Sequence, residues 1–157
     1  MAPDPIQRAL DKIASCEDAK QLKQIAKNAE SQGQPDVCRA AELRLYAILP
    51  SAQPGTLQHD VWQSVYALEG ALSAERGKTT LLARTRQKIA RDGDQGTVAS
   101  LVVGKVSDGF RMLLDRNMTD LTFETVALRH PADFSEDVLT TAKLRLMEVG
   151  FEPKLTN

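Results

Sequence analysis

Residues 57–93 read LQHDVWQSVYALEGALSAERGKTTLLARTRQKIARDG. Val61, Val65, Leu68 and Leu72 recur at three- and four-residue spacing, so one face of this stretch is apolar with a helical period. Trp62, Tyr66 and Glu69 sit beside that face. The pattern predicts a long helix from Leu57 to Glu75, interrupted at Gly77. A second helix is predicted over Lys78–Arg91, with Leu81, Thr85 and Ile89 on one stripe and Leu82 next to it. Asp92-Gly93 breaks it. Two long amphipathic helices in succession, with no alternating strand pattern between them, set an all-α fold.

Outward from this core the same period continues. Toward the N-terminus, Ile6, Leu10 and Ile13 define a helix opened by Pro5, whose missing N–H costs nothing in a first turn. Ser15 reads as the cap of a second helix bearing Leu22, Ile25, Ala26 and Ala29. Gly33 ends that helix. Pro35 starts a third, lined by Val37, Ala41, Leu45 and Ile48, which stops at Pro50. Pro50–Gly55 (PSAQPG) is the clearest break in the chain. Toward the C-terminus, Thr97–Val103 is short and β-branched, the one stretch compatible with a strand. Ser107 caps a helix ending near Asn117. A shorter helix over Phe123–Arg129 stops before Pro131, as the restriction on the residue preceding proline requires. Ser135, Glu136 and Asp137 open a last helix to about Met147. The sum is a helical bundle of eight or nine helices. Residues 1–49 are a three-helix unit, 50–56 a linker, 57–148 the main bundle and 149–157 a loose tail.

The 157 residues are 42% hydrophobic and 26% charged with a net charge of −1. Such a chain buries a core and is neither a disordered tail nor a histone-like polycation. No run approaches the length of a membrane span. The N-terminal MAPDPIQRALDK lacks the apolar segment of an export signal. Cys16 and Cys38 lie within helical patterns with no CxxC. Free thiols in a cytoplasmic protein are the simplest account.

Enzymatic patterns are missing. His59 and His130 are distant in sequence and carry no metal-ligand spacing, so no metal or cofactor is expected and each histidine reads as structural. Gly77-Lys78-Thr79-Thr80 resembles the end of a phosphate loop. That loop needs a glycine at position 72 and a preceding strand, and position 72 is leucine within a helix. Neither cysteine has a visible base. Aromatic residues are 4% of the chain, too few for a base-stacking platform.

The anomaly is where the positive charge sits. Residues 76–116 hold nine basic and four acidic side chains, a net of +5, while 1–75 and 117–157 are each −3. From Lys78 to Arg91 there is no acid at all. At 100° per residue, Arg84, Lys88 and Arg91 lie within about 60° of one another, beside the apolar stripe, and Arg86 falls on the far side. With Arg76 and Lys78 they form a candidate phosphate-contacting surface for double-stranded DNA. The turn at Asp92-Gly93 and a short helix from Thr97 would complete a helix-turn-helix-like arrangement. The alternative is a solvated face whose cations meet acids of the same fold.

The stretches GKTTLLARTRQKIARDG (77–93) and DGFRMLLDRNMTDLTFETVALRHPADF (108–134) resemble a block in uncharacterised bacterial helical proteins associated with restriction or other DNA-directed systems. The resemblance covers about residues 65–146. It implies contact with DNA and brings no catalytic residue with it. The leading expectation is a non-catalytic double-stranded DNA-binding protein. The second is a helical adaptor, homodimeric through the face of the long helix that bears Val61, Trp62, Val65 and Tyr66. A small enzyme with no recognisable motif is the third.

Overall fold

Polar side chains cap most of the helices that the periodicity predicts. The structure, a computed structural model, describes residues 4–153. Among the described residues it contains eight α-helices and no strand. The chain divides into two compact units, 1–51 and 52–157, the boundary falling inside PSAQPG.

The first unit holds α1 (Pro5–Ser15), α2 (Ala19–Ser31) and α3 (Pro35–Ile48). Both α1 and α2 lie against α3. Ile13, Leu22, Ala29, Val37 and Ala41 are buried. The cap of α2 is not Ser15. Ser15 is the last residue of α1, and its hydroxyl donates to the Lys12 carbonyl at 3.4 Å. Asp18 takes the capping position instead, accepting from the Lys20 and Gln21 N–H groups at 3.0 and 3.3 Å. A carboxylate here satisfies two orphan donors and meets the positive end of the helix dipole, so it outcompetes a hydroxyl three residues earlier.

The second unit holds α4 (Leu57–Arg76), α5 (Ala83–Val103), α6 (Asp108–Asp115), α7 (Phe123–Arg129) and α8 (Glu136–Glu148), with single 3-10 turns at Thr119–Leu121 and Pro131–Asp133. Thr56, Ser107, Thr122 and Ser135 each cap the helix that follows through the side-chain oxygen. The core joins Val61 and Val65 of α4, Ile89, Val98 and Val102 of α5, Phe110 of α6, Val126 of α7 and Leu146 of α8. The buried Glu124 of α7 meets Arg145 of α8 at 3.6 Å, and Arg145 also donates to the Leu101 and Gly104 carbonyls. One guanidinium thus ties α5, α7 and α8 together.

Two expectations are corrected in this unit, and the one stretch compatible with a strand proves to be part of α5, in keeping with the all-α fold. Thr97–Val103 is helical. Thr97, Val98 and Val102 face the core at helical spacing, and tertiary burial overrides the β-branched preference. The helix expected from Lys78 begins at Ala83, and residues 77–82, after left-handed Gly77, are not helical. No helix-turn-helix forms at Asp92-Gly93. A single glycine at φ 81°, ψ 172° kinks α5 in place of a three- or four-residue turn. That backbone region is open essentially to glycine alone.

The tail is ordered as far as it is described. The Phe151 N–H donates to the Leu146 carbonyl at 2.9 Å, and the ring packs on the core. Residues 154–157 of the expected tail lie outside the described residues.

Candidate nucleic-acid interface

The basic surface is built on α5, and α5 is held at its start by a residue of α4. The Glu69 carboxylate accepts from the Leu82 backbone N–H at 2.8 Å. It also accepts from Arg86 Nε and Nη2 at 2.6 and 2.7 Å. Its side chain is 7% exposed and that of Arg86 32%. The Arg86 guanidinium lies 5.2 Å from the Trp62 ring centre and 5.8 Å from that of Tyr66. A buried carboxylate paired bidentately with a planar cation that also covers two rings fixes position and rotation together.

This clamp decides which way the cations of α5 point. Because the helix starts at Ala83, its inward stripe is Leu82, Thr85, Arg86 and Ile89. Leu81, expected on the packed stripe, is 57% exposed. Moving the stripe by one residue turns Arg86 from an outward to an inward side chain. Arg84, Lys88 and Arg91 then lie about 140–160° around the helix from Arg86. Arg84 and Arg91 are exposed, and Lys88 is half-buried.

Arg76 is the last residue of α4 and Lys78 lies in the turn after it, both exposed. The structure therefore puts three of the five candidate residues on one face of α5 and the other two ahead of that helix. Among the described residues, Arg76, Lys78 and Arg84 have no carboxylate within 4 Å. Lys88 and Arg91 share Asp92, at 3.8 and 3.1 Å. Hydrogen bonds from Arg91 hold the Asp92 carboxyl below its ordinary range.

The basic character ends at the kink. Gly93 opens a cleft of about 460 Å³ lined by Asp92, Asp94 and Asp133. Burial pushes the Asp94 carboxyl upward. The sign of that cleft opposes phosphate. The sequence reading missed Glu69 as the anchor of this helix. Its spacing from Trp62 and Tyr66 was visible, but its reach to Leu82 depends on a turn that periodicity does not specify.

No protein family matches the chain, and no curated protein or solved structure matches it. The site therefore rests on its geometry. The resemblance over residues 65–146 contributes no residue to it.

The two histidines, distant in sequence, meet at one carboxylate. His130 Nε2 lies 2.7 Å from Asp60 Oδ2, and His59 Nδ1 lies 3.5 Å from Asp60 Oδ1. The group braces the first turn of α4 against the end of α7. Among the described residues no group of three or more His, Cys, Asp or Glu side chains is placed to hold a metal ion. No helix there is long and apolar enough to cross a membrane.

Proposed function

We propose that the chain is a non-catalytic, cytoplasmic, double-stranded DNA-binding protein or domain. In this reading the first half of α5 tracks the phosphate backbone. Arg84, Lys88 and Arg91 make the contacts, with Arg76 and Lys78 adding charge from the preceding residues. The observation that carries the reading is the Glu69 clamp. It consumes Arg86 internally and commits the other three cations of α5 to the opposite face. A pre-positioned cationic face loses little freedom when phosphates arrive. Contacts to phosphate make binding depend strongly on salt.

Anisotropy titration of labelled duplex, single-stranded DNA and duplex RNA at two salt concentrations tests this. Duplex DNA binding that weakens steeply with salt is expected. Absence of duplex binding at low salt refutes it.

A second reading, a helical adaptor, is favoured by a different surface from the one the sequence suggested. Of the α4 face that the sequence suggested, Val61 and Val65 are fully buried in the core, and Trp62 and Tyr66 are partly buried. Leu144 and Met147 of α8 are instead 55% and 71% exposed, one turn apart on the helix. Self-association that is lost on Met147→Glu would support the adaptor.

A further inference from the structure

The bend at Gly93 encloses a hollow within the second unit. On a straight helix Leu82 and Leu101 would stand about 28 Å apart. Both line one cavity of about 220 Å³, so the kink brings the two arms of α5 together around it. Leu68 and Leu72 of α4, Met112 of α6 and Phe123 of α7 line its other sides. Leu68 is buried and the other five are half-buried. Large apolar side chains from four helices thus converge on a space that none of them fills. Slack packing is not the cause. A Cβ on Gly109, itself in the lining, would come within 2.9 Å of Leu68 Cδ2, so α6 already lies against α4. Protein interiors leave few voids larger than a water molecule.

Size and lining select the occupant. An apolar cavity of about 150 Å³ stays dry and takes benzene, whereas drug-sized ligands occupy about 300 Å³ or more. A hollow of 220 Å³ therefore suits one ring or a short alkyl chain. It offers a protein partner room for a single side chain, far short of the roughly 800 Å² per partner that a stable interface buries. The polar groups of the lining are the Thr85 and Ser107 hydroxyls and the Asp108 carboxylate. Ser107 Oγ already accepts from the Phe110 N–H at 3.1 Å. Asp108 is exposed and is the one ionisable side chain in the lining. A ligand carboxylate would meet like charge there, whereas a ligand hydroxyl can donate to it.

We infer that the hollow inside the bend of α5 is a binding site for a small uncharged apolar molecule, a single ring or short alkyl chain that carries a hydroxyl. Its apolar body lies among Leu82, Leu101, Met112 and Phe123, and its hydroxyl donates to Asp108. The site stands whether or not α5 contacts DNA.

The test uses the full chain with carbon-13 in its methionine methyl groups, the Met112 signal being assigned with Met112→Leu. Met147, 71% exposed on α8, is the internal reference. The probes are 1-hexanol, 1-butanol and hexanoate. Each pair of buried methylenes is worth roughly tenfold in affinity. Six carbons then predict a dissociation constant of about 1 mM for 1-hexanol, and 1-butanol should bind about tenfold more weakly. The Met112 methyl should shift saturably while that of Met147 stays in place, and hexanoate should bind more weakly than 1-hexanol. Leu101→Phe fills the hollow and should abolish the Met112 shift, with folding checked by circular dichroism.

No saturable shift of Met112 at about ten times the expected constant overturns the site, and this holds on the parent protein alone, whatever the variant does. Equal shifts of Met112 and Met147 mean non-specific solvation and overturn it too. A folded Leu101→Phe that binds 1-hexanol as the parent does places the ligand elsewhere. Hexanoate binding as tightly as 1-hexanol removes the selection by Asp108 and overturns the assignment to an uncharged ligand.

Discussion

Removing the Arg86 guanidinium should destabilise the second unit by about 3 kcal/mol, as the loss of a buried ion pair with one partner left behind. In Arg86→Met the apolar stem is kept and the charge is lost. Glu69, 7% exposed, then keeps only the Leu82 N–H out of three donors. Breaking a buried pair costs about 3–5 kcal/mol, and Arg86 at 32% exposure places this one at the low end. Glu69→Gln retains an oxygen for Leu82 and should cost about 2 kcal/mol, the worth of charge-assisted hydrogen bonds.

The two losses overlap, so the double variant should be less damaged than the sum of the singles by about 2 kcal/mol. Trp62 is the chain's single tryptophan and lies against Arg86 itself. Its fluorescence in urea reports the second unit without interference from the first. Additivity of the two substitutions within about 0.5 kcal/mol would show that Glu69 and Arg86 do not act as one clamp, and the pair could not then set the orientation of α5.

Further predictions concern backbone, charge and pH. Gly93→Ala should cost about 1–3 kcal/mol through backbone strain alone, since a Cβ there meets nothing within 4 Å. Gly96→Ala, three residues on in ordinary helix with only the Asp92 Cβ at 3.4 Å, should gain about 0.5–1 kcal/mol. Equal effects of the two in urea denaturation would contradict the kink. Burial raises the Glu124 carboxyl above its ordinary 4.5, against the pull of its own N–H and of Arg145. The stability this contributes is present below pH 4.5 and is lost as pH rises through the raised folded value, at about 1.4 kcal/mol per pH unit between the two. Glu124→Gln cannot ionise, so its stability relative to the parent should climb with pH across that window and then level off. A pH-independent difference would refute the burial effect.

Much of the fold was legible because it depends on period and punctuation. Val61, Val65 and Leu68 at helical spacing, Gly77 and Pro131 as stops, and Ser107 and Ser135 as caps all act within a few residues. What was not legible depends on partners far along the chain. Thr97–Val103 is helical because Val98 and Val102 reach the common core, which local preference does not encode. The start of α5 at Ala83 is set by a carboxylate thirteen residues earlier than Leu82. A five-residue error there was enough to misplace Leu81 and to turn Arg86 the wrong way. The meeting of His59 and His130 at Asp60 likewise comes from packing α7 against α4. That Arg84, Lys88 and Arg91 share one face was readable because their mutual spacing is intrinsic to any helix.

The central claim is that this outward face of α5 contacts phosphates. The most direct measurement is the salt dependence of duplex affinity for the parent protein and for Arg84→Ala/Lys88→Ala/Arg91→Ala, with folding checked by circular dichroism. Arg84 and Arg91 are exposed, Lys88 is half-buried, and none of the three belongs to the core, so the variant should fold. Its slope of log affinity against log salt should be flatter by about two to three units, at about 0.9 per phosphate released. A folded variant that binds duplex with the parent's slope would contradict the account.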